Sequence, residues 1–327
     1  MFVYIVIALV GGVFIANQTP INTDLGRIAG SPFWGAAISF LVGTVFLALL
    51  VLATGERLLP SLVFIVHQPA WVWLGGVLGV VYLTTNVLLF PRLGALQTVI
   101  LPIVGLIVMG VVIDTFGWFD SPVIPLSLLR CGGIIVLVAG VVIAVVLANR
   151  GGQPVPERSS GKLWLWRAWA VVVGACSGMQ QAINGRLGDL LQAPVEASFI
   201  SFASGTVVIV VIAFAVARRL PFAVRRTAAP EPEPVRGQPQ PVVRLKPWNW
   251  LGGVLGSLNV LVTVLAVPRI GAGLTIMTGL VGQIVGSVVV QQFGLWRSVR
   301  RPIRVLQIIG VLVMLVGVVL VKGSVGI

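Results

Sequence analysis

Residues 18–44, QTPINTDLGRIAGSPFWGAAISFLVGT, recur in modified form as residues 180–206, QQAINGRLGDLLQAPVEASFISFASGT. The two stretches align without gaps at an offset of 162, and 11 of their 27 positions are identical. The identical positions include polar residues, such as Gln18 with Gln180, as well as prolines and glycines. A shared apolar composition alone does not align residues of these types. The chain therefore contains an internal duplication.

A second block extends the repeat toward the C-terminus. Residues 73–98 match residues 250–275 at 14 of 26 positions, with the offset increased to 177 by a longer preceding loop. Both copies contain the pattern P-R-x-G-A, which begins at Pro91 and at Pro268. Proline and glycine interrupt regular structure, so each copy is predicted to make a tight turn between two helices here.

The composition indicates an all-α polytopic membrane protein. Of the 327 residues, 57% are hydrophobic and only 9% are charged, and the mean hydropathy is +1.07. A soluble domain carries about 25% charged residues, so a soluble enzyme is excluded. An outer-membrane barrel is excluded because its strands are about ten residues of alternating polarity. Long uncharged stretches instead suit helices of about 20 residues that cross the hydrocarbon core. The predicted spans are 2–18, 33–53, 71–90, 94–114, 130–148, 164–183, 196–217, 248–267, 271–292 and 304–321.

Each copy of the repeat holds five of these ten transmembrane helices, and the odd number makes the two copies inverted. We predict a first repeat at 1–148 and a second at 164–327, joined by a polar linker at 149–163. A basic, proline-rich loop at 218–247 has too little apolar content to fold and is predicted to be disordered. Two inverted five-helix repeats are typical of secondary transporters, in which the halves exchange conformations.

The positive charges predict the orientation of the spans. The net charge is +13, and the predicted loops place 17 of the 22 Lys and Arg residues on one face and five on the other. Basic loops stay on the cytoplasmic side, so both termini are predicted to lie outside. This bias accounts for the net charge without a nucleic-acid partner, and the lipid bilayer is the partner it implies. The sequence does not indicate an oligomeric state.

Amides inside the spans are the candidate binding or gating residues. Gln18 and Asn22 are four residues apart, hence on one helical face, near the end of the first span; Gln180 and Asn184 repeat this at the end of the sixth. A buried amide needs hydrogen-bond partners, so both pairs are expected to face the interior of the bundle. There they either join helices or bind solute and gate a central cavity at its two ends. The second candidates are Asn86, Asn259 and Gln283.

Groups suited to catalysis or metal binding are scarce. No P-loop pattern occurs, and the single histidine, His67, has no second His or Cys at ligand spacing. Asp114 and Glu196 lie near the ends of predicted spans, where we expect interfacial positions rather than a role in proton coupling. We therefore predict no catalytic residue, no metal site and no cofactor.

The pattern Q-x-x-I-N-x-x-L-G…P…I-S-F-x-x-G-T, followed by P-R-x-G-A and a helix ending in D-x-F-G, resembles the YdcZ-type family. These are bacterial inner-membrane proteins of the drug/metabolite transporter superfamily. The resemblance covers both copies and leaves out only the two polar segments, as in a fused, internally duplicated form. It implies a ten-helix bundle in the bacterial cytoplasmic (inner) membrane and solute export. The copies differ at Asp114, which aligns with Gln291, and at Gln283, which aligns with Leu106.

The repeat, the amides and the resemblance together predict a secondary transporter rather than an enzyme. We expect an exporter of a small neutral or zwitterionic metabolite that works by alternating access. One alternative is a membrane scaffold that transports nothing. Another is an intramembrane enzyme acting on lipid-linked substrates, which needs convergent His, Cys or carboxylate groups that the predicted spans do not offer at their centres.

Overall fold

The structure of the protein is a computed structural model, and it describes residues 1–147, 163–217, 220–221, 245–298 and 300–324. The described residues form helices joined by turns, and no strand occurs among them. The predicted linker at 149–163 and the predicted disordered loop at 218–247 lie almost entirely outside the described residues.

Ten α-helices occur in the described part of the chain. They are α1 (Phe2–Ala29), α2 (Pro32–Thr54), α3 (Leu62–His67), α4 (Gly75–Phe116), α5 (Leu128–Val141), α6 (Leu163–Leu191), α7 (Pro194–Ala217), α8 (Leu251–Ile270), α9 (Ala272–Phe293) and α10 (Val305–Ser324). α5 continues as a π-helical turn at Val142–Leu147. These helices do not correspond one to one with the ten predicted spans, because α3 is too short to cross a membrane and α4 covers two spans.

The predicted spans 2–18 and 164–183 ended too early. α1 and α6 continue beyond them by about two to three helical turns at their C-terminal ends. The prediction ended each helix at its amides, because polar groups are costly in hydrocarbon. In the structure neighbouring helices cover these amides, so each helix continues through them. The polar residues that follow therefore remain helical as well.

The turn that ends α1 follows from three successive residues. Gly30 has φ +78°, a left-handed conformation that glycine adopts without a steric penalty. The Ser31 hydroxyl then accepts a hydrogen bond from the Phe33 backbone N–H, at 3.3 Å, which caps the start of α2. Pro32 occupies the first turn of α2, where a missing N–H costs nothing. α2 thereby returns directly against α1.

α4 covers the two predicted spans 71–90 and 94–114 in one helical element, but its two ends run in opposite directions along α6. Gly79 lies against Gln180, and Pro102 lies against Gly174. A straight helix would separate Gly79 from Pro102 by about 34 Å, whereas Gly174 and Gln180 are only about 9 Å apart along α6. The helical chain therefore turns back on itself between these contacts.

Eight segments among the described residues are long and apolar enough to cross a membrane. They are Phe2–Ala29, Pro32–Thr54, Gln97–Phe116, Leu128–Leu147, Pro194–Ala217, Pro247–Ile270, Ala272–Phe293 and Val305–Gly323. α6 and the first part of α4 are not among the eight. The prediction of an all-α polytopic membrane protein is confirmed at this level.

α2 and α7 pack through residues that are copies of each other. The hydroxyl oxygens of Thr44 and Thr206 share a hydrogen bond of 2.7 Å. The rings of Phe40 and Phe202 stack with their centroids 5.0 Å apart. Both pairs are separated by 162 positions, the offset of the repeat. A residue that meets its own copy lies near a two-fold axis, so such a local axis passes between α2 and α7.

α5 and α10 pack in the same reciprocal way through glycines. A Cβ atom added to Gly133 would lie 2.9 Å from the carbonyl oxygen of Gly317, and one added to Gly140 would lie 2.7 Å from that of Gly310. Gly133 aligns with Gly310, and Gly140 aligns with Gly317. The contacts are therefore exchanged by the repeat, and their order along the chain makes α5 and α10 antiparallel.

Candidate solute-binding site

The first amide pair lies where α1 packs against α8. A Cβ atom added to Gly256 would collide with the side-chain amide of Gln18. One added to Gly252 would collide with the amide of Asn22. The two glycines, four residues apart on one face of α8, leave the space that the amides fill.

The second amide pair has the same surroundings on the other half of the chain. The Gln180 amide lies against Gly79 of α4, and the Asn184 amide lies against Gly75. These two glycines align with the two glycines of α8 at the offset of 177. Each amide pair therefore packs on a glycine face of the opposite half. The same arrangement of two amides on two glycines therefore occurs in both halves.

One oxygen atom in each site has no hydrogen-bond partner among the described residues. These atoms are Oδ1 of Asn22 and Oδ1 of Asn184, and both are buried. Leaving a buried acceptor unpaired costs about 1–3 kcal/mol, which is rare in native proteins and points to a functional reason. A carboxamide carries no charge and both donates and accepts, so these sites suit a polar solute with N–H or O–H donors.

The second-choice residues are distributed unevenly. Asn259 lies on α8 beside α1, where its Oδ1 atom would be 3.1 Å from a Cβ added to Gly11. It shares the α1–α8 contact with the first amide pair. Gln283 is half-buried on α9, and its backbone meets Gly12 of α1. The side chain of Asn86 lies outside the described part of the structure.

A buried ion pair within the first half, which the sequence analysis missed, contacts the start of α9 in the second half. Arg130 donates through Nη2 to Oδ2 of Asp114 at 2.6 Å, and the two side chains are 1% and 0% exposed. Arg130 also donates to the backbone carbonyl of Ile124. Asp114 accepts two further bonds from the backbone N–H groups of Ala272 and Gly273, at 2.7 and 2.9 Å. Asp114 lies two residues before the end of α4, and its expected interfacial position stays a prediction, while protein encloses its carboxylate.

This ion pair stabilises the start of α9. Gly271 has φ +80° and separates α8 from α9, and Asp114 accepts from the unpaired N–H groups at the start of α9. The equivalent part of the first copy lies within α4, between Gly79 and Pro102, where the chain also reverses direction. Asp114 aligns with Gln291 and Arg130 aligns with Gln307. The difference between the copies at Asp114 was the one signal in the sequence for this pair.

The remaining acidic candidate is also enclosed by protein. Glu196 lies in the first turn of α7 and is 6% exposed, and its backbone N–H donates to the Glu56 carboxylate at 2.9 Å. Its expected interfacial position stays a prediction. Within the described ranges, no group of three or more His, Cys, Asp and Glu residues is arranged to hold a metal ion.

A family model described as "Putative inner membrane exporter, YdcZ" matches residues 3–143 and 165–320. The chain belongs to the YdcZ family. The resemblance that the motifs indicated is thereby confirmed, and the two matched segments identify a fused, duplicated member. Membership of the YdcZ family, together with the eight apolar helices, makes the chain a multi-pass inner-membrane protein of a transport family.

Comparison with solved structures adds information on the fold. A structure described only as "Crystal structure of protein" aligns over 98% of both chains with a TM-score of 0.67 and 14% sequence identity. At that identity the likeness shows the fold alone. No curated protein matches this YdcZ-family chain significantly.

Proposed function

We propose that the protein is a secondary transporter that exports a small neutral or zwitterionic metabolite by alternating access between two inverted repeats. The observation that carries this proposal is the duplicated amide site. Gln18 and Asn22 occupy one copy, Gln180 and Asn184 occupy the other, and inversion of the repeats puts the two copies near opposite faces of the membrane. One solute then meets the same chemistry from either side.

The proposed architecture has ten spans, with two contributed by α4 and one by α6. It is supported by the reversal of α4 along α6 and by the antiparallel packing of α5 on α10. It is further supported by the Thr44–Thr206 hydrogen bond, in which a residue meets its copy. Rocking of one half against the other around such an axis exchanges the side that is open.

The proposed solute class follows from the groups at the sites. Each site offers carboxamides, which carry no charge, so they favour a solute without a high net charge. The buried Oδ1 atoms of Asn22 and Asn184 accept hydrogen bonds, which favours a solute with donor groups. Export as the direction is supported by the description of the family.

The orientation has its own test. We expect a fluorescent protein that matures only in the cytoplasm to stay dark when fused after Ile327, because the basic loops place both termini outside. A phosphatase active only outside the cytoplasm is expected to work at the same position. A bright fluorescent fusion with an inactive phosphatase would reverse the proposed topology.

The transport proposal is tested by growth against toxic metabolites and analogues. A host that makes the native chain is expected to resist members of one solute class. The Asn22→Ala/Asn184→Ala variant is expected to lose this resistance, with export slowed about ten-fold for each hydrogen bond removed. Sensitisation by the native chain would instead indicate uptake.

The matched control is Thr19→Ala/Gln181→Ala, which changes two equivalent residues beside the amides. The Thr19 hydroxyl donates only to the Ile15 carbonyl of its own helix, so resistance should persist. All chains are compared at equal membrane abundance. If the native chain and the amide variant behave alike against every compound, the amides are structural and the scaffold alternative is favoured.

A further inference from the structure

Two clusters of charged residues occupy equivalent positions on the two halves with every charge reversed. They are Asp24, Arg27 and Arg297, which align in this order with Arg186, Asp189 and Asp120. We name the first set the α1 cluster and the second set the α6 cluster, after the helix that carries two residues of each.

The α1 cluster encloses its carboxylate. The Asp24 side chain is 5% exposed and lies 3.0 Å from Nη1 of Arg297, whose side chain is 34% exposed. Asn249, which is fully buried, donates to the same carboxylate oxygen of Asp24 at 2.9 Å. The guanidinium of Arg297 also lies over the Trp248 ring, 5.8 Å from its centroid. These contacts join α1 of the first half to the segments that flank α8 and α9 in the second.

The α6 cluster makes the same ion pair with a solvent-exposed carboxylate. Nε of Arg186 lies 3.1 Å from the Asp120 carboxylate, but the two side chains are 27% and 62% exposed. Arg186 also pairs with Asp189 at 3.3 Å. At the position of Asn249 the first half has Val72, whose side chain cannot donate a hydrogen bond to hold a carboxylate.

A cavity lies beside the α6 cluster. It has a volume of about 170 Å³ and is lined by all of Arg186, Asp120 and Asp189. The rest of its wall includes Phe119 and Ser121. The charged residues of the α6 cluster therefore line an accessible space.

The loops that carry the two clusters have the same backbone conformation. Phe119 and Asp120 have φ values of +60° and +56°, and their copies Trp296 and Arg297 have +56° and +61°. Four residues other than glycine in the left-handed region are strained, so one particular loop shape is preserved in both halves. The loops differ in what they contact rather than in how they fold.

We propose that the two clusters are the closing contacts of two gates, one at each end of the solute pathway. Both ion pairs are formed in the structure, but the Asp24 carboxylate is enclosed by protein whereas the Asp120 carboxylate faces an accessible space. This inference rests on the proposed function, since alternating access couples the closing of one end to the opening of the other. A movement that buries Arg186 against Asp120 would expose Asp24.

The reversed charges determine which helices and loops can form ion pairs with each other. The carboxylates Asp24 and Asp120 belong to the first half, and the guanidinium groups of Arg186 and Arg297 belong to the second. Like charges repel, so α1 does not pair with the loop of its own half, and neither does α6. Each gate therefore closes only between the halves, which is the interface that must move.

The test measures the two gates separately by electron–electron resonance distances in the full chain, in lipid nanodiscs. Spin labels replace exposed residues on either side of each gate after Cys131→Ser and Cys176→Ser remove the native thiols. One label pair, at Thr23 and Leu295, reports the α1 cluster. A second pair, at Val123 and Gln192, reports the α6 cluster.

Equivalent substitutions are expected to act in opposite directions. Asp24→Asn should raise the ratio of open to closed molecules at the α1 cluster about five-fold or more and shorten distances at the α6 cluster. Arg186→Gln should leave the α1 cluster closed. The reversed pair Asp24→Arg/Arg297→Asp should restore closure at the α1 cluster relative to the single substitution Asp24→Arg.

Independent behaviour of the two ends would overturn the gate assignment. That result is seen if Asp24→Asn opens the α1 cluster while distances at the α6 cluster stay fixed, or if the reversed pair stays as open as Asp24→Arg. Because the distances are measured without solute, coupled gates combined with no resistance in the growth screen would overturn the proposed solute and leave the gates standing.

Discussion

Arg130→Gln is expected to lower the free energy of unfolding by about 3–5 kcal/mol, the cost of removing one partner from a fully buried ion pair. The carboxylate of Asp114 would remain enclosed, since its side chain is 0% exposed. It would keep the two N–H groups of α9 but lose its counter-charge. We expect less protein in the membrane and a lower thermal midpoint in detergent.

A double substitution separates the charge from the packing. Asp114→Asn/Arg130→Gln is expected to recover most of the loss, because replacing both members of a buried pair removes the unpaired charge. The second half carries glutamine at both aligned positions, Gln291 and Gln307, so this repeat already folds without the pair.

The control is Arg186→Gln, which breaks an ion pair that is largely exposed. Pairs of that kind contribute about 0–1 kcal/mol, so the thermal midpoint should barely move. If Arg130→Gln unfolds at the same temperature as this control, the Asp114–Arg130 pair does not hold the start of α9.

The duplication was predictable from the sequence because it preserves glycines at close helix–helix contacts, where a larger residue would not fit. Gly79 and Gly256 align, and each accommodates a glutamine side chain from the opposite half. Any larger residue would displace that amide. Helix packing through small residues therefore leaves an identical letter in both copies, and a gap-free alignment detects it.

The helix ends and the charged clusters were not predictable by the same reasoning. Polar content near Gln18 indicated the end of a span, and only the fold shows that α8 covers it. The pairing of Asp24 with Arg297 joins residues 273 positions apart, and their copies carry opposite charges. A count of identities scores a reversed charge as a mismatch, so the signal was present in the alignment but in a form that identity does not register.

Gly282→Ala and Gly105→Ala are expected to destabilise the protein by about 1–3 kcal/mol each through overpacking. A Cβ atom at Gly282 would collide with the backbone carbonyl of Leu9, and one at Gly105 would collide with that of Val171. A carbonyl cannot rotate away as a side chain can, so α9 must move from α1, and α4 from α6. α1 and α6 are also the helices that carry the two amide pairs.

Gly132→Ala on α5 is the matched control, because no atom lies within 4 Å of a Cβ added there. Alanine favours the helix by up to about 1 kcal/mol over glycine, so this variant should unfold at the same or a higher temperature. Gly282 is the copy of Gly105, so the two losses should be similar and, at separate interfaces, should add to within about 0.5 kcal/mol in the double variant. A large loss at one site with none at the other would mean that the two interfaces are not packed alike.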